Sequence, residues 1–195
     1  LFACLIGSAL LFYAGWELII VGLLCVLFAF LYTTGPYPLS YNGWGDVLVI
    51  VFFGFVPVGG TYYVQALTWT SDTTVASLIC GLLIDTLLVV NNYRDREADA
   101  RSGKRTVIVR FGEKFGRYLY LMLGVAASLL CFWFFFEGHL FAALLPLLYL
   151  IPHVLTWRRM VQIHSGKKLN SILGETSRNM LLMGILLSIG FLIRH

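Results

Sequence analysis

The chain has 195 residues, of which 59% are hydrophobic and only 12% charged, against roughly 25% charged in a soluble domain. So little polar surface excludes a water-soluble globular fold and points to an integral membrane protein. The formal charge of +4 means little until it is mapped: residues 1–90 contain no Lys or Arg, eight lie from Arg94 to Arg117, five from Arg158 to Arg178, and the last is Arg194. Such clustering is what the positive-inside rule produces, so both basic stretches are expected in the cytoplasm. Membrane topology explains this basic patch, so no nucleic-acid partner is expected.

In chain order, apolar runs predict spans at 1–13, 17–33, 46–66, 73–90, 116–136, 139–156 and 176–194, near the roughly 20 residues a helix needs to cross a bilayer. Leu1 lies inside an apolar run with no basic n-region and no cleavage signature, so the first run does not read as a signal peptide. The expectation is a piece of a longer protein that lacks its N-terminus. Ala14-Gly15-Trp16 and Glu137-Gly138 predict tight turns, Gly35-Pro36-Tyr37-Pro38 opens a longer connection, and Gly59-Gly60 is a candidate break in a span. Apolar and polar residues do not alternate, which argues against a membrane β-barrel. The expected fold is therefore all-α, a multi-pass bundle of about seven helices around a central cavity, in one domain over 1–195. Cys4, Cys25, Cys80 and Cys131 lie in apolar stretches without CxxC spacing; they are expected to be small buried side chains, neither disulfides nor metal ligands.

By parity, the connections 34–45, 91–115 and 157–175 share the cytoplasmic face, and long connections on a rigid scaffold are where sites are built. The stretch Asn91-Asn92-Tyr93-Arg94-Asp95-Arg96-Glu97-Ala98-Asp99 follows directly on a span, so it is expected at the helix end. There Asn91, Asp95 and Asp99 stack on one face at successive turns. Like charges at i, i+4 repel, but become favourable when a divalent cation sits between them and a second anion. Hard oxygen donors of this kind suit Mg²⁺, which often binds through one or two carboxylates plus substrate phosphates. Lys104 and Arg105 follow at a distance suited to closing over a diphosphate. The alternative is a solvated loop in which Arg94, Arg96 and Arg101 neutralise Asp95, Glu97 and Asp99. Asp85 lies inside a span on the same face; it either lines a polar cavity or is protonated or hydrogen-bonded to a neighbouring helix. The connection Tyr32–Asp46 is rich in hydroxyl and amide groups, and His153 reads as a packed residue.

The run Asn91-Asn92-Tyr93-Arg94-Asp95-x-x-x-Asp99-x-x-x-Gly103-Lys104-x-Thr106, continuing into Val109-Arg110-Phe111-Gly112, resembles the second aspartate-rich motif of the UbiA superfamily of intramembrane prenyltransferases. Tyr32 to Asp46, Phe52-Phe53-Gly54, Gly60-Thr61-Tyr62-Tyr63, Gln65 and Cys80-Gly81-Leu82-Leu83 resemble its menaquinone branch, the 1,4-dihydroxy-2-naphthoate polyprenyltransferases. The resemblance implies nine helices, with two aspartate-rich motifs facing each other across a central cavity. On that pattern this chain starts within the third helix and lacks the first motif.

The resemblance further implies that Asp95 and Asp99, helped by Asn91, hold Mg²⁺ on the diphosphate of a polyprenyl donor. Lys104 and Arg105, with Arg94, would neutralise the leaving diphosphate. The prenyl cation would be attacked by 1,4-dihydroxy-2-naphthoate with loss of its carboxylate, giving demethylmenaquinone. Tyr32, Tyr37, Tyr41 and Asn42 are further candidates for cradling the diphosphate or the acceptor, with membrane lipid surrounding the bundle and the site on the cytoplasmic side of a bacterial plasma membrane. A different acceptor on the same scaffold (4-hydroxybenzoate, a haem, a chlorophyllide or a homogentisate) is one rival. A CDP-alcohol phosphotransferase would need its spaced aspartates in a run that is absent here, and a transporter or assembly factor would need internal repeats or broken helices.

Overall fold

The structure, a computed structural model, describes residues 2–193. The expectations for Leu1, Arg194 and the side chain of Cys4 lie outside the described residues. Among those described, the regular elements are helices: α1 (Phe2–Ser8), α2 (Leu11–Ala14), α3 (Glu17–Thr33), α4 (Gly45–Ala66), α5 (Ser71–Arg101), α6 (Val107–Phe136), α7 (Leu140–Ile163) and α8 (Lys167–Leu192). Helices α4 to α8 are long and apolar enough to cross a membrane, whereas α2 and α3 belong to shorter apolar stretches. The all-α multi-pass class holds, and α1 with α2 takes the place of the first expected span.

The element ends correct the sequence reading. The helix end expected at Asn91–Asp99 is helical and runs on to Arg101. Most of the remaining connections, expected over the rest of 91–115 and 157–175, are helical too, leaving 102–106 and 164–166 as connections. Helix α5 has 31 residues, about 46 Å at 1.5 Å per residue, against a hydrocarbon core of about 30 Å. No glycine or proline interrupts it from Leu82 to Arg101, so the helix carries its polar end beyond the apolar segment without breaking. Its N-terminus is capped by the Thr70 hydroxyl, which accepts from the Thr73 amide. Helix α6 starts earlier than expected, at Val107, and is interrupted at Gly112, whose φ of 87° only glycine adopts readily.

Helix α4 does not break at Gly59-Gly60. Ile50–Gly59 is wound as a π-helix containing Pro57, a wider winding that tolerates a residue lacking its amide hydrogen. This helix lies close against α5, because a Cβ on Gly54 would come 2.5 Å from the Ser77 carbonyl oxygen and one on Gly81 would come 2.9 Å from the Ile50 backbone. Small residues let membrane helices approach in this way, where no hydrophobic driving force between helices exists.

Two apolar clusters fill the bundle. Val89, Val90, Tyr93, Ile108, Tyr120, Met160 and Ile172 pack at the motif end, and Ile79, Leu83, Ala127, Phe134, Ala142 and Met183 at the other. Between them His153 is fully buried, stacked on Tyr120 and Tyr149, with its Nε2 on the Leu121 carbonyl and the Tyr149 hydroxyl on its Nδ1. It is a packed residue, as expected. Cys131 is buried, but Cys25 and Cys80 are only half-buried, and all three are free thiols; the expectation of burial was too broad because these two sit on α3 and on the α4-facing side of α5, near an open groove.

Gly54→Ala is expected to lower stability by about 1–3 kcal/mol through forced separation of α4 and α5. Gly60→Ala, where a Cβ meets nothing within 4 Å, should be neutral or slightly stabilising. Thermal unfolding of both variants in detergent checks this, and equal midpoints would show that the α4–α5 approach is not tight.

Candidate active site

The two connections at the polar end of α5 are tied to each other by backbone. The Arg105 amide donates to the Tyr41 carbonyl at 2.7 Å, and the Arg110 guanidinium donates to the Asn42 carbonyl at 2.7 Å. Within 34–44, Ser40 Oγ donates to the Tyr32 carbonyl and the Asn42 amide to the Pro38 carbonyl. These bonds fold the tyrosine-rich segment over the end of α5 and enclose a polar cavity of about 380 Å³. Its walls are Tyr32 and Thr33 from α3, Ser40, Tyr41 and Gly43 from the connection, and Gly45 and Asp46 from α4. Leu88, Asn91, Asn92 and Asp99 from α5, with Ser102, Lys104 and Thr106 beyond it, complete them.

Of the residues expected from sequence, Tyr32, Tyr41, Asn91, Asp99 and Lys104 line this cavity, while Asp95, Arg94, Arg105, Tyr37 and Asn42 are not among its walls. Lys104 Nζ lies 3.4 Å from Asp99 Oδ2, and its amide donates to the Asp99 carbonyl at 2.9 Å, so it folds back onto the end of its own helix. Arg94 grips Asp95 with two bonds, Nε to Oδ1 at 2.7 Å and Nη2 to Oδ2 at 2.6 Å. The same guanidinium donates to Asn91 Oδ1 at 2.8 Å and to Asn170 Oδ1 at 2.9 Å. Arg105 acts on the cavity through its backbone and leaves its side chain exposed, as Tyr37 does.

The solvated-loop alternative accounts for only part of this. Arg94 does neutralise Asp95, but Arg96 turns to the opposite side of α5. There Arg96, Arg117 and His164 converge on Glu113 at 3.1–3.2 Å. Arg96 stacks 4.5 Å from the Tyr93 ring, and Arg117 Nε donates to the Tyr93 hydroxyl. This knot joins α5, α6 and the α7–α8 turn behind the motif, so the basic residues are divided between the two faces. Lower in the bundle, Arg159 pairs with buried Glu175, which also accepts from Thr156, and Asn179 donates to Thr156.

Sequence reasoning puts Asn92 on the face of Asp85, Asp95 and Asp99 without giving it a role, and passes over Asp46, Thr33, Ser102 and Thr106. Asp46 carried a signal: it is the one acidic residue in the 32–46 connection and falls in the first turn of α4. Its Oδ1 is buried without a hydrogen-bond partner, as are Asp85 Oδ1 and Ser77 Oγ. Asp85 is 1% exposed, lies within electrostatic reach of Asp46, and is not a wall of the cavity.

Among the described residues no three His, Cys, Asp or Glu side chains gather as a metal site. Two carboxylates and an amide oxygen at successive turns, beside a polar cavity, instead fit a hard cation whose remaining ligands are water and phosphate. A second cavity of about 550 Å³, almost wholly apolar, lies between α3 and α4 and is lined by Cys25, Phe28, Ala29, Leu48, Val49, Phe52 and Phe53. Tyr32 and Leu88 belong to both cavities, so the polar chamber and the apolar groove adjoin.

Comparison with known proteins agrees with this architecture. Residues 1–190 match the profile of the UbiA prenyltransferase family. The chain is 38% identical over 181 residues to 1,4-dihydroxy-2-naphthoate octaprenyltransferase of Haemophilus influenzae, covering 89% of this chain and 56% of that protein. It is 43% identical over 124 residues to the protein of the same name from Mycobacterium leprae, covering 64% and 42%. A UbiA prenyltransferase domain-containing protein 1 from Dictyostelium discoideum is 30% identical over 162 residues, covering 83% and 48%. The chain thus spans about half the length of the curated relatives it matches. No solved structure matches it.

A buried carboxylate oxygen without a partner costs about 1–3 kcal/mol. Asp46→Asn, which removes a charge near Asp85, is therefore expected to raise the thermal midpoint in detergent, by about 1 kcal/mol of stability. A lower midpoint would show that the carboxylate has partners that the amide cannot keep.

Proposed function

The chain belongs to the UbiA prenyltransferase family, and from that premise we propose that its protein transfers a polyprenyl group from polyprenyl diphosphate to 1,4-dihydroxy-2-naphthoate, with loss of CO₂, giving demethylmenaquinone in its quinol form. The observation that carries this reading is the junction of the two cavities. An amphiphile with an anionic head and a long apolar tail needs a polar chamber opening directly into an apolar groove, and Tyr32 and Leu88 stand where the two meet. The naphthoate acceptor is favoured by the names of the Haemophilus and Mycobacterium relatives.

In this reading Asp95, Asp99 and Asn91 would hold Mg²⁺ together with the donor diphosphate, and the cation would supply charge neutralisation there. Lys104 binds the diphosphate from the same chamber, and Arg94 from its rim. As the allylic C–O bond breaks, its electron pair leaves with the diphosphate, and these fixed cations stabilise the charge that builds on it. The ring carbon bearing the carboxylate then attacks the prenyl cation. The electrons of the bond to the departing CO₂ return to the ring and restore its aromaticity. Phe28, Phe52, Phe53 and Leu88 exclude water that would otherwise capture the cation. The site faces the cytoplasm of a bacterial plasma membrane, on the strength of the basic residues at this end and their absence from residues 1–90.

With the protein in membranes, Mg²⁺, a polyprenyl diphosphate and 1,4-dihydroxy-2-naphthoate should yield the prenylated quinol and diphosphate. Asp95→Asn should reduce turnover by about 10²-fold or more. Turnover only with another aromatic acid would replace the acceptor, and an Asp95→Asn variant as active as the parent would end the catalytic reading of the motif. Ala29→Trp, which fills the apolar groove, should slow turnover of long-chain donors more than that of a two-isoprene donor in the same assay. Equal loss for both would place the tail elsewhere.

A further inference from the structure

Asn170 stands outside every motif that the sequence brings forward, and its side chain does an unusual thing. It is the first residue of the regular helical part of α8, directly after the N-cap Leu169. Its Oδ1 accepts from Arg94 Nη1 at 2.9 Å, across 76 residues of sequence. That bond completes the coordination of one guanidinium: Nε and Nη2 hold the Asp95 carboxylate, Nη2 also reaches Asn91 Oδ1, and Nη1 is taken by Asn170. Arg94 and Asp95 are sequence neighbours on a helix, about 100° apart, and do not face each other by default. The Asn170 oxygen adds to the bonds made within α5 a further one from a different helix.

We infer that Asn170 is a positioning residue: it anchors Arg94 as a resident counter-ion on Asp95 and so weakens the affinity of the motif for a divalent cation until an anionic substrate draws the arginine away. The inference rests on the proposed metal role of Asp95. The oxygens that Arg94 holds, Asn91 Oδ1 and both oxygens of Asp95, are the hard donors that a divalent cation would take, so arginine and metal compete for them. Lys104 stands in the same relation to Asp99, so Asp95 and Asp99 each carry a cation. When a diphosphate arrives with its metal, Arg94 exchanges one anion for another, and the site keeps its charge balance in both states.

The test uses the purified protein in lipid nanodiscs and Mn²⁺ alone, without diphosphate, as a paramagnetic substitute for Mg²⁺, with free Mn²⁺ read by electron paramagnetic resonance. Removing the anchor in Asn170→Ala should tighten Mn²⁺ binding about three- to five-fold, and Arg94→Gln should tighten it further. The double variant should bind like Arg94→Gln alone, because Asn170 acts through the arginine. Unchanged affinity in Asn170→Ala, or tightening that adds to that of Arg94→Gln, overturns the inference. Weaker binding also overturns it and would make Asn170 a metal-ligand oxygen instead. Asp95→Asn separates the two levels: if it leaves Mn²⁺ binding intact, the metal role of Asp95 has failed. If it abolishes binding while Asn170→Ala changes nothing, only the role of Asn170 has failed.

Discussion

A helix cannot rotate one end against the other without a break, and α5 has none between Leu82 and Arg101. The close approach of Gly81 to Ile50 sets the phase of its apolar segment against α4, and that phase is inherited by the polar segment a few turns further on. Asn91, Asp95 and Asp99 therefore point where packing in the bundle sends them. Tyr93 and Arg96, on other faces of the same turns, are sent to Glu113, Arg117 and the α7–α8 turn. The division of cations between the two faces follows from this one rigid element. Without it the basic residues of 94–117 would be free to neutralise the acidic ones at random.

The chamber itself is made by loops leaning on that helix. The bonds from Arg105 to Tyr41 and from Arg110 to Asn42 use backbone carbonyls, so they hold the tyrosine-rich segment in place whatever its side chains bind. Side-chain hydroxyls and amides are left to line the space. Buried oxygens without partners occur at Asp46, a wall of the chamber, and at Asp85. Groups of that kind lower stability, and they persist where a site needs them. The π-helical winding of α4 runs beside the apolar groove, a second departure from regular geometry next to the same cavities.

Each motif carboxylate has a cation on it, Arg94 on Asp95 and Lys104 on Asp99. Paired cations of this kind lie too near the surface to contribute much stability, and their use is better sought in what they do when a competing anion enters. The apolar groove is the other half of this end of the bundle. The junction at Tyr32 and Leu88 brings the two halves within one molecule's length of each other.

The all-α class, the order of the spans and the placing of the motif at a helix end were legible in the sequence, because hydropathy and charge act locally and a membrane leaves few alternatives. So was the common face of Asn91, Asp95 and Asp99, which is arithmetic on 3.6 residues per turn. The starts of the later helices were not legible, since nothing in the polarity of 107–115 or 167–175 distinguishes a loop from a helix continuing into water. Nor was the partner of each charge: Lys104 and Arg105 are adjacent in sequence, yet one folds back on Asp99 while the other offers its backbone to Tyr41. Asp46 and Asn170 enter the site only because α4 and α8 end beside α5. What one stretch of chain does to itself the sequence alone determined, whereas which distant groups meet was decided by the packing of whole helices, and that depends on contacts such as Gly54 with Gly81, and Ala142 with Gly190, that no local pattern encodes.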